Sequence, residues 1–352
     1  MALSSRGKAI VAGGAVVAVL GGGAAALALS SDDNPVIDVL QSVGVVDEPP
    51  APCPLTGVPV GDDKEPPNRP ALAVKVENTP EAQPLVGLDK ADIVYEEVVE
   101  GGITRFIVVF NCDSAERVGP VRSARTTDPK IMLQFSEHPL LAYSGGANKV
   151  VNLIKQSGVV GMTEGDPTRP FSRDDAREAP HNLFVDTNEL WVTGKKRAKG
   201  EPAPQVIFSY DEDVQKPSKK VAGATIDFPL TTAGWSWDQG GWVRSQNGAV
   251  MTLEDGSNVV FDNVLIQQVE TTESDILDVV GYPSPEVKVT GSGKAWLLRN
   301  GRLITGTWSR PDESDLTVFT VKGGDEFQLA PGTTFVELAP TGMFDAPVSF
   351  QK

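Results

Sequence analysis

Two neighbouring runs along the chain combine β-forming residues with an alternation of apolar and polar side chains. They read IVYEEVVE at 93–100 and ITRFIVVF at 103–110, and two glycines join them. Two such runs linked by a glycine pair predict a β-hairpin. A two-residue loop would place Glu97 on the more apolar face, opposite Phe106. A carboxylate on a core face needs a cation or a hydrogen-bond donor, so we expect Glu97 to be ion-paired or to bind a ligand.

Downstream of the hairpin, the pattern predicts two helices and a long polar segment. An Asp-Pro pair starts the first helix, predicted over 128–135, and a Ser-Gly-Gly turn precedes the second, predicted over 147–156. Residues 163–182 are too polar for a core and too long for a tight turn. We therefore expect a functional loop in this segment.

The second half of the chain consists of short β-rich runs separated by turn signals. Asn-Gly or Asp-Gly pairs occur at 247–248, 255–256 and 300–301, and the last pair predicts a type I′ hairpin. This spacing is typical of a small barrel or sandwich. Three tryptophans between 235 and 242 favour core packing over a glycan-binding platform.

The predicted fold class is α+β, with a mixed α/β N-terminal domain followed by a β-rich C-terminal domain. The domains are predicted at 70–193 and 205–352. The basic segment 194–204 between them contains Gly and Pro and is interpreted as a solvated linker.

An uncharged apolar stretch at 9–29 precedes these domains. Basic residues before it and acidic residues after it predict that residues 1–8 are a cytoplasmic stub and that the remainder is extracytoplasmic. The stretch is long enough to span a bilayer as a single-pass anchor. A small-x-small site at 26–28 also fits a cleaved signal peptide and a secreted protein. Residues 30–69 are acidic and Pro-rich, which predicts an extended tether.

The chain has two cysteines, Cys53 and Cys112. In an oxidising extracytoplasmic compartment an even pair predicts a disulfide. The alternative is a thiol nucleophile, but no histidine lies near Cys112 in the sequence. We therefore predict a Cys53–Cys112 disulfide that pins the tether to the globular part.

Charge and composition exclude several classes of function. Lys plus Arg number 31 and Asp plus Glu number 47, and the resulting net charge of −16 argues against a nucleic-acid-binding protein. The chain has two histidines, His138 and His181, which are too few for a three-His zinc site. The motifs of serine hydrolases, zinc proteases and P-loops are absent. We predict neither a metal nor a cofactor.

A basic island nevertheless stands out in this acidic chain. Guanidinium groups bind phosphate or carboxylate with two parallel hydrogen bonds, and two of the arginines precede a predicted helix start, where anions are favoured. Ion pairing with neighbouring carboxylates explains the same residues, so both interpretations stay open. The candidate ligand-binding residues are Glu97, Arg105, Arg122, Arg125, His181 and Asn182.

Three functions are compatible with these observations. The leading hypothesis is a non-enzymatic envelope protein, held at the cell membrane by 9–29, that binds an anionic envelope ligand or an envelope protein through its N-terminal domain. A second is an envelope hydrolase or transferase that uses His181 as acid or base and Arg122 and Arg125 as a clamp. A third is a structural scaffold whose β edges recruit partners.

Several long segments resemble the YerB-type family of bacterial putative lipoproteins. The resemblance implies a two-domain extracytoplasmic protein of unestablished molecular function, and it supplies no catalytic residue. No cysteine follows the apolar stretch as a lipobox requires, so the predicted membrane link is the stretch itself. The segments that carry the resemblance are CPLTG (53–57), Arg69-Pro70 with 74–78, GLDKADIVYEEVVEGGITRF (87–106), VGPVRSAR (118–125), PHNLF (180–184), GSGKAWLLRNGRLITGTWSR (291–310) and LAPGTTFVELAP (329–340).

The predicted topology can be tested by protease shaving of intact cells. If residues 30–352 lie outside the membrane, an added protease should remove them while a cytoplasmic marker protein survives. A full-length chain that persists while a known surface protein is digested would contradict this topology.

Overall fold

The computed structural model describes residues 10–12, 15–17, 51–61, 65–166, 170–278 and 281–352. Near the N-terminus, β1 (Ile10–Ala12) and β2 (Ala15–Val17) pair in antiparallel fashion. None of the helices formed by the described residues is long and apolar enough to cross a membrane. The structure therefore gives no support to a spanning helix over 9–29, most of which, together with 1–8, lies outside the described residues.

Residues 50–352 form one unit with three α-helices among its described residues, α1 (Thr127–Met132), α2 (Asn148–Ser157) and α3 (Thr187–Gly194). Short 3-10 helices span Pro80–Ala82, Leu88–Lys90 and Glu100–Gly102. The strands are β3 (Leu72–Glu77), β4 (Ile93–Val98), β5 (Thr104–Phe110), β6 (Leu140–Ala142), β7 (Val160–Met162), β8 (Phe171–Arg173), β9 (Leu183–Val185), β10 (Ser209–Tyr210), β11 (Lys219–Lys220), β12 (Gly223–Asp227), β13 (Thr232–Asp238), β14 (Gly241–Gln246), β15 (Ala249–Val250), β16 (Val260–Phe261), β17 (Asn263–Leu277), β18 (Pro283–Lys288), β19 (Gly291–Arg299), β20 (Arg302–Arg310), β21 (Val318–Val321), β22 (Gln328–Leu329), β23 (Thr334–Gly342) and β24 (Val348–Gln351).

A twelve-stranded mixed sheet contains strands from both predicted domains. Its order is β11-β20-β19-β17-β23-β4-β5-β3-β6-β7, with β18 also paired to β17 and β21 to β20. The two halves of the chain meet in the parallel pair β23–β4, where Glu337 lies beside Glu96. The sheet is therefore continuous across the chain segment 194–204, and one hydrophobic core includes residues from both sides of it.

A second sheet has the order β15-β14-β13-β12-β24, with β16 paired to β14. Its side chains reach the first sheet, since the Trp235 ring contacts the Phe335 ring at a centroid distance of 4.8 Å. Trp235 and Trp242 are buried, and Trp237 packs on Trp242 at 5.1 Å. The tryptophans thus belong to the core, as the sequence favoured.

The elements predicted from the sequence are present with adjusted bounds. Helix α1 ends three residues earlier than predicted, and α2 is displaced by one residue. The polar segment 163–182 contains β8, which pairs with β9. The turn Asn300-Gly301 has φ values of 48° and 66° and joins β19 to β20. These positive values confirm the predicted type I′ hairpin.

The hairpin at 93–110 is present, but its register differs from the prediction by one residue. Glu97 pairs with Arg105 and Glu96 with Phe106, because a 3-10 turn over Glu100–Gly102 replaces the two-residue loop. A shift of one residue exchanges all cross-strand neighbours. The prediction that Glu97 opposes Phe106 is therefore wrong, whereas its position in the core is confirmed.

Cys53 and Cys112 form the predicted disulfide, which is confirmed with a Cα–Cα distance of 6.0 Å. Cys53 lies in a turn in which its carbonyl oxygen accepts from the backbone N–H of Gly57 at 2.8 Å. Cys112 lies two residues beyond the end of β5 at Phe110. The bond thus fastens the first described residues of this unit to a central strand of the sheet.

On one face of β4, two carboxyl groups and one guanidinium are completely buried. Arg244 of β14 donates to Glu96 Oε2 at 2.6 Å, and Trp235 Nε1 donates to Glu337 Oε1 at 2.7 Å. Burial, followed by the charge of Glu96, raises the pKa of Glu337 well above its usual value. We therefore expect Glu337 to hold a proton that it shares with Glu96, which leaves one guanidinium balanced by one carboxylate.

The shared proton predicts different outcomes for the two carboxyl groups. In Glu337→Gln the amide can still accept from Trp235 and donate to Glu96. The native wild type holds a proton that its unfolded chain releases, so this group lowers wild-type stability by up to about 1.4 kcal/mol per unit of rising pH. In urea unfolding, the stability of the variant relative to wild type should therefore increase as the pH rises from about 5 to about 8.

The matched control is Glu96→Gln, which removes the carboxylate that Arg244 contacts at 2.6 Å and leaves Glu337, whose Oε1 lies 3.7 Å from Arg244 Nε, as the remaining carboxyl group. Removing one partner of a buried ion pair should lower the free energy of unfolding by about 3–5 kcal/mol. Equal losses in the free energy of unfolding for Glu96→Gln and Glu337→Gln would contradict the assignment of the proton to Glu337.

The disulfide supports a further expectation about stability. Cys53 and Cys112 are 59 residues apart in the sequence, and closing a loop of this length should contribute about 4 kcal/mol. Replacing both cysteines by alanine should lower the free energy of unfolding in urea by that amount. The reduced wild type should have the same free energy of unfolding as the double variant. The contribution would be disproved if the oxidised wild type were no more stable than these two proteins.

Candidate functional site

The candidate residues gather where several parallel strands end. Strands β3 and β4 both run antiparallel to β5, and β6 and β7 run parallel to β3. Their carboxyl ends therefore lie along one edge of the sheet, which is where open α/β sheets commonly bind ligands. Across these ends Glu77, Arg105 and Glu97 are direct cross-strand neighbours and share one face.

Glu97 belongs to a buried ion cluster beneath this edge. Lys75 Nζ donates to Glu97 Oε1 and, at 2.7 Å, to Asp128 Oδ1. The side chains of Lys75 and Asp128 have no exposed surface. Burial raises the pKa of Glu97, and the charge of Lys75 opposes that shift. The cation that balances Glu97 is therefore Lys75 of β3, which reaches it across β5, and not Arg122 or Arg125.

Arg125 is held by partners on all sides. Its Nε and Nη2 donate to Glu100 Oε2, the former at 2.9 Å. Its Nη1 donates to the carbonyl oxygens of Ser123 at 3.2 Å and Ala124 at 2.8 Å. Burial, the largest influence, would raise the pKa of Glu100, but the charge of Arg125 and the hydrogen bonds from Arg125, Ser284 and the Glu100 backbone together outweigh it, so the pKa is lowered. Arg125 thus has the contacts of a structural residue.

Arg122 and His181 share one carboxylate, that of Glu77. His181 Nδ1 lies 2.9 Å from Glu77 Oε2, and Arg122 Nε lies 3.3 Å from Glu77 Oε1. The Glu77 side chain is 2% exposed, whereas Arg122 and His181 are 23% and 22% exposed. The Arg122 Nε is buried and makes no hydrogen bond to the residues that the structure describes. Arg122 is consequently held less firmly than Arg125.

Arg105 is the cation of the cluster that has no carboxylate partner. Within the described part of the chain it forms no ion pair, and its Nη1 donates a hydrogen bond to the Ser123 carbonyl at 3.3 Å. Burial, followed by the charge of Arg125, lowers its pKa to about 10, with a smaller contribution from Arg122 and with the charges of Glu100 and Glu77 opposing the shift. A half-buried guanidinium beside two others is a costly arrangement unless an anion joins it.

Asn182 does not join the cluster. Its Oδ1 accepts from Arg173 Nη1 at 2.8 Å, and its Nδ2 donates to the Asp174 carbonyl at 3.4 Å. The structure therefore brings Arg105, Arg122 and His181 together around Glu77, and it gives Asn182 a role within its own loop.

Sequence reasoning missed Glu77 and Lys75. Both stand in the strand LAVKVE, and alternation places them on the same face. Two opposite charges in a strand that is otherwise apolar were the available signal. The described residues contain no group of three or more His, Cys, Asp or Glu side chains placed to hold a metal ion.

Comparisons with known proteins agree with the resemblance seen in the sequence. Residues 55–200 match the family "Protein of unknown function (DUF3048) N-terminal domain", and residues 224–336 match the DUF3048 C-terminal domain. The "Putative lipoprotein YerB" of Bacillus subtilis (strain 168) is 30% identical over 304 residues, which is 82% of this chain and 86% of that protein.

A crystal structure of the YerB protein from Bacillus subtilis has the same fold. It superposes with a TM-score of 0.68 at 24% identity and covers 85% of this chain and 99% of that one. The two family domains and the long match to YerB together lead to one assignment: the chain belongs to the YerB-type family, which combines the DUF3048 N-terminal and C-terminal domains.

Proposed function

We propose that this protein is a membrane-tethered extracytoplasmic protein of the cell envelope and that it binds an anionic ligand at Arg105 and Arg122. The apolar stretch at 9–29 with its charged flanks, the disulfide and the name of the relative YerB as a lipoprotein support this location.

The unpaired guanidinium of Arg105 carries the ligand proposal. Glu97, its neighbour on β4, is committed to Lys75, and Glu77, its neighbour on β3, contacts Arg122 and His181. Arg105 is therefore left with a carbonyl oxygen, although guanidinium groups form much stronger bonds with anions.

The charges of the cluster favour an external anion. Glu100 neutralises Arg125, and the single carboxylate of Glu77 faces both Arg122 and Arg105. Within this set the guanidiniums outnumber the carboxylates by one.

Lys75 lies beneath the set and faces the two carboxyl groups of Glu97 and Asp128, and burial raises the pKa of Glu97, which favours its neutral form. An anion that accepts hydrogen bonds from Arg105 and Arg122 would balance the additional guanidinium.

The contact between His181 and Glu77 supports a second function, an envelope hydrolase or transferase. A carboxylate that orients one imidazole nitrogen leaves the other nitrogen to act as acid or base. Loss of turnover on ester or phosphoester substrates in His181→Gln, with anion binding retained, would favour this function over binding alone.

The binding proposal predicts that three arginine variants behave differently. Sulfate at about ten times its Kd should stabilise the wild type by about 1.4 kcal/mol. Arg105→Gln and Arg122→Gln should lose this effect and keep their stability without anion, because neither arginine has a strong protein partner. Arg125→Gln should lose about 3 kcal/mol of stability, because Glu100 is left buried and unpaired. Thermal unfolding at constant ionic strength measures both quantities.

The matched control is Arg302→Gln, since Arg302 donates to Ser218 at the opposite end of the sheet. This variant should respond to sulfate as the wild type does. If sulfate stabilises none of the proteins, or stabilises Arg105→Gln as strongly as the wild type, the ligand proposal fails and a scaffold role is favoured.

A further inference from the structure

His181 gives the arginine cluster a group that can gain a charge. Its Nδ1 lies 2.9 Å from Glu77 Oε2, so the neutral ring carries its proton on Nδ1 and donates it to this carboxylate. Its Nε2 makes no hydrogen bond to the residues described here. A second proton would therefore be added at Nε2 and would create a new donor.

Protonation of His181 would change the cluster in two ways that both favour an anion. It adds one positive charge next to Arg122. It also strengthens the attraction between His181 and Glu77. The Arg122 Nε lies 3.3 Å from Glu77 Oε1 and makes no hydrogen bond to it, so the carboxylate of Glu77 would be drawn from Arg122 towards His181. Arg122 is then freer to donate to a ligand.

The charge of the protonated cluster indicates the class of anion. With Arg125 balanced by Glu100, the groups Arg105, Arg122 and Glu77 carry one net positive charge. The imidazolium of His181 adds a second positive charge, opposed by the exposed carboxylate of Glu81, which interacts electrostatically with His181. A dianion gains more from this added charge than a monoanion does, and a tetrahedral oxyanion offers enough oxygens for two guanidinium groups and an imidazolium at once.

We infer that the site binds a dianionic tetrahedral oxyanion, such as the phosphate group of a monoester, and that His181 takes up a proton at Nε2 when the anion binds. This inference rests on the proposed anion-binding function and assigns its ligand class and its coupling to pH.

Three other charged groups face His181. They are Glu77 at the end of β3, Arg122, and Glu81 of the 3-10 helix Pro80–Ala82, which interacts electrostatically with His181. Carboxylates and guanidiniums ordinarily stay charged between about pH 6 and about pH 8, whereas imidazole titrates there.

Isothermal titration calorimetry with sulfate tests the inference, because sulfate stays a dianion over this pH range. Titrations in buffers of different ionisation enthalpy count the protons taken up. The wild type should take up as much as one proton per sulfate, and its affinity should increase by up to about tenfold for each unit of falling pH. Methanesulfonate, a monoanion with a similar oxygen arrangement, should bind more weakly and gain less at low pH.

The chain supplies its own control because it has two histidines. His181→Gln should bind sulfate without proton uptake, and its affinity should not vary with pH. His138→Gln, which changes a ring bonded to the Gly158 carbonyl and Lys199, should behave as the wild type does. Sulfate binding without proton uptake, or proton uptake that persists in His181→Gln, overturns the inference and leaves the anion site intact. The complete absence of sulfate binding overturns the proposed function itself.

Two sources of phosphate monoester can then be separated. Glycerol 3-phosphate tests a soluble ester, and phosphatidylcholine vesicles with and without phosphatidic acid test a lipid headgroup. Binding of either one that is lost in Arg105→Gln supports the ligand class. Binding of sulfate with rejection of both phosphate monoesters overturns it.

Discussion

Two consecutive carboxyl groups on a strand that is buried on both faces constrain the rest of this structure. Glu96 and Glu97 point to opposite sides of β4, and neither is exposed to solvent. Each therefore requires a buried cation on its own side. Arg244 of the second sheet supplies one cation, and Lys75 of β3 in the same sheet supplies the other. These two ion pairs connect β4 to β14 on one side and to β3 on the other.

The candidate site follows from how those pairs are distributed. Because Lys75 satisfies Glu97, the guanidinium of Arg105 cannot use its neighbour on β4. Because Glu77 turns towards Arg122 and His181, Arg105 lacks a partner on β3 as well. The large hydrophobic core offsets the free-energy cost of holding Arg105 without an ion pair. The uncompensated charge of Arg105 lies at the edge of the sheet where parallel strands end, which is a common place for ligands.

Local signals predicted much of the fold. Alternation and glycine turns indicated the hairpins, and the Asn300-Gly301 turn was predicted with its type because few backbone conformations can close a two-residue loop. The disulfide of Cys53 and Cys112 was predicted because two cysteines allow one intramolecular pairing. The register around Gly101 was missed, since a 3-10 turn and a two-residue loop have the same glycine-rich signature.

By itself, the sequence determined the family, the hairpins at 93–110 and around 300–301, the disulfide and the need of Glu97 for a partner, because these depend on residues close together or on residue type. Only the tertiary structure decided which cation meets which carboxylate. Lys75 of β3 reaches Glu97 of β4 across the intervening β5, and Arg244 reaches Glu96 from another sheet, so their pairing depends on strand order and register. For the same reason the structure alone separated Arg125, whose donors are occupied, from Arg105, whose charge has no partner in the described chain.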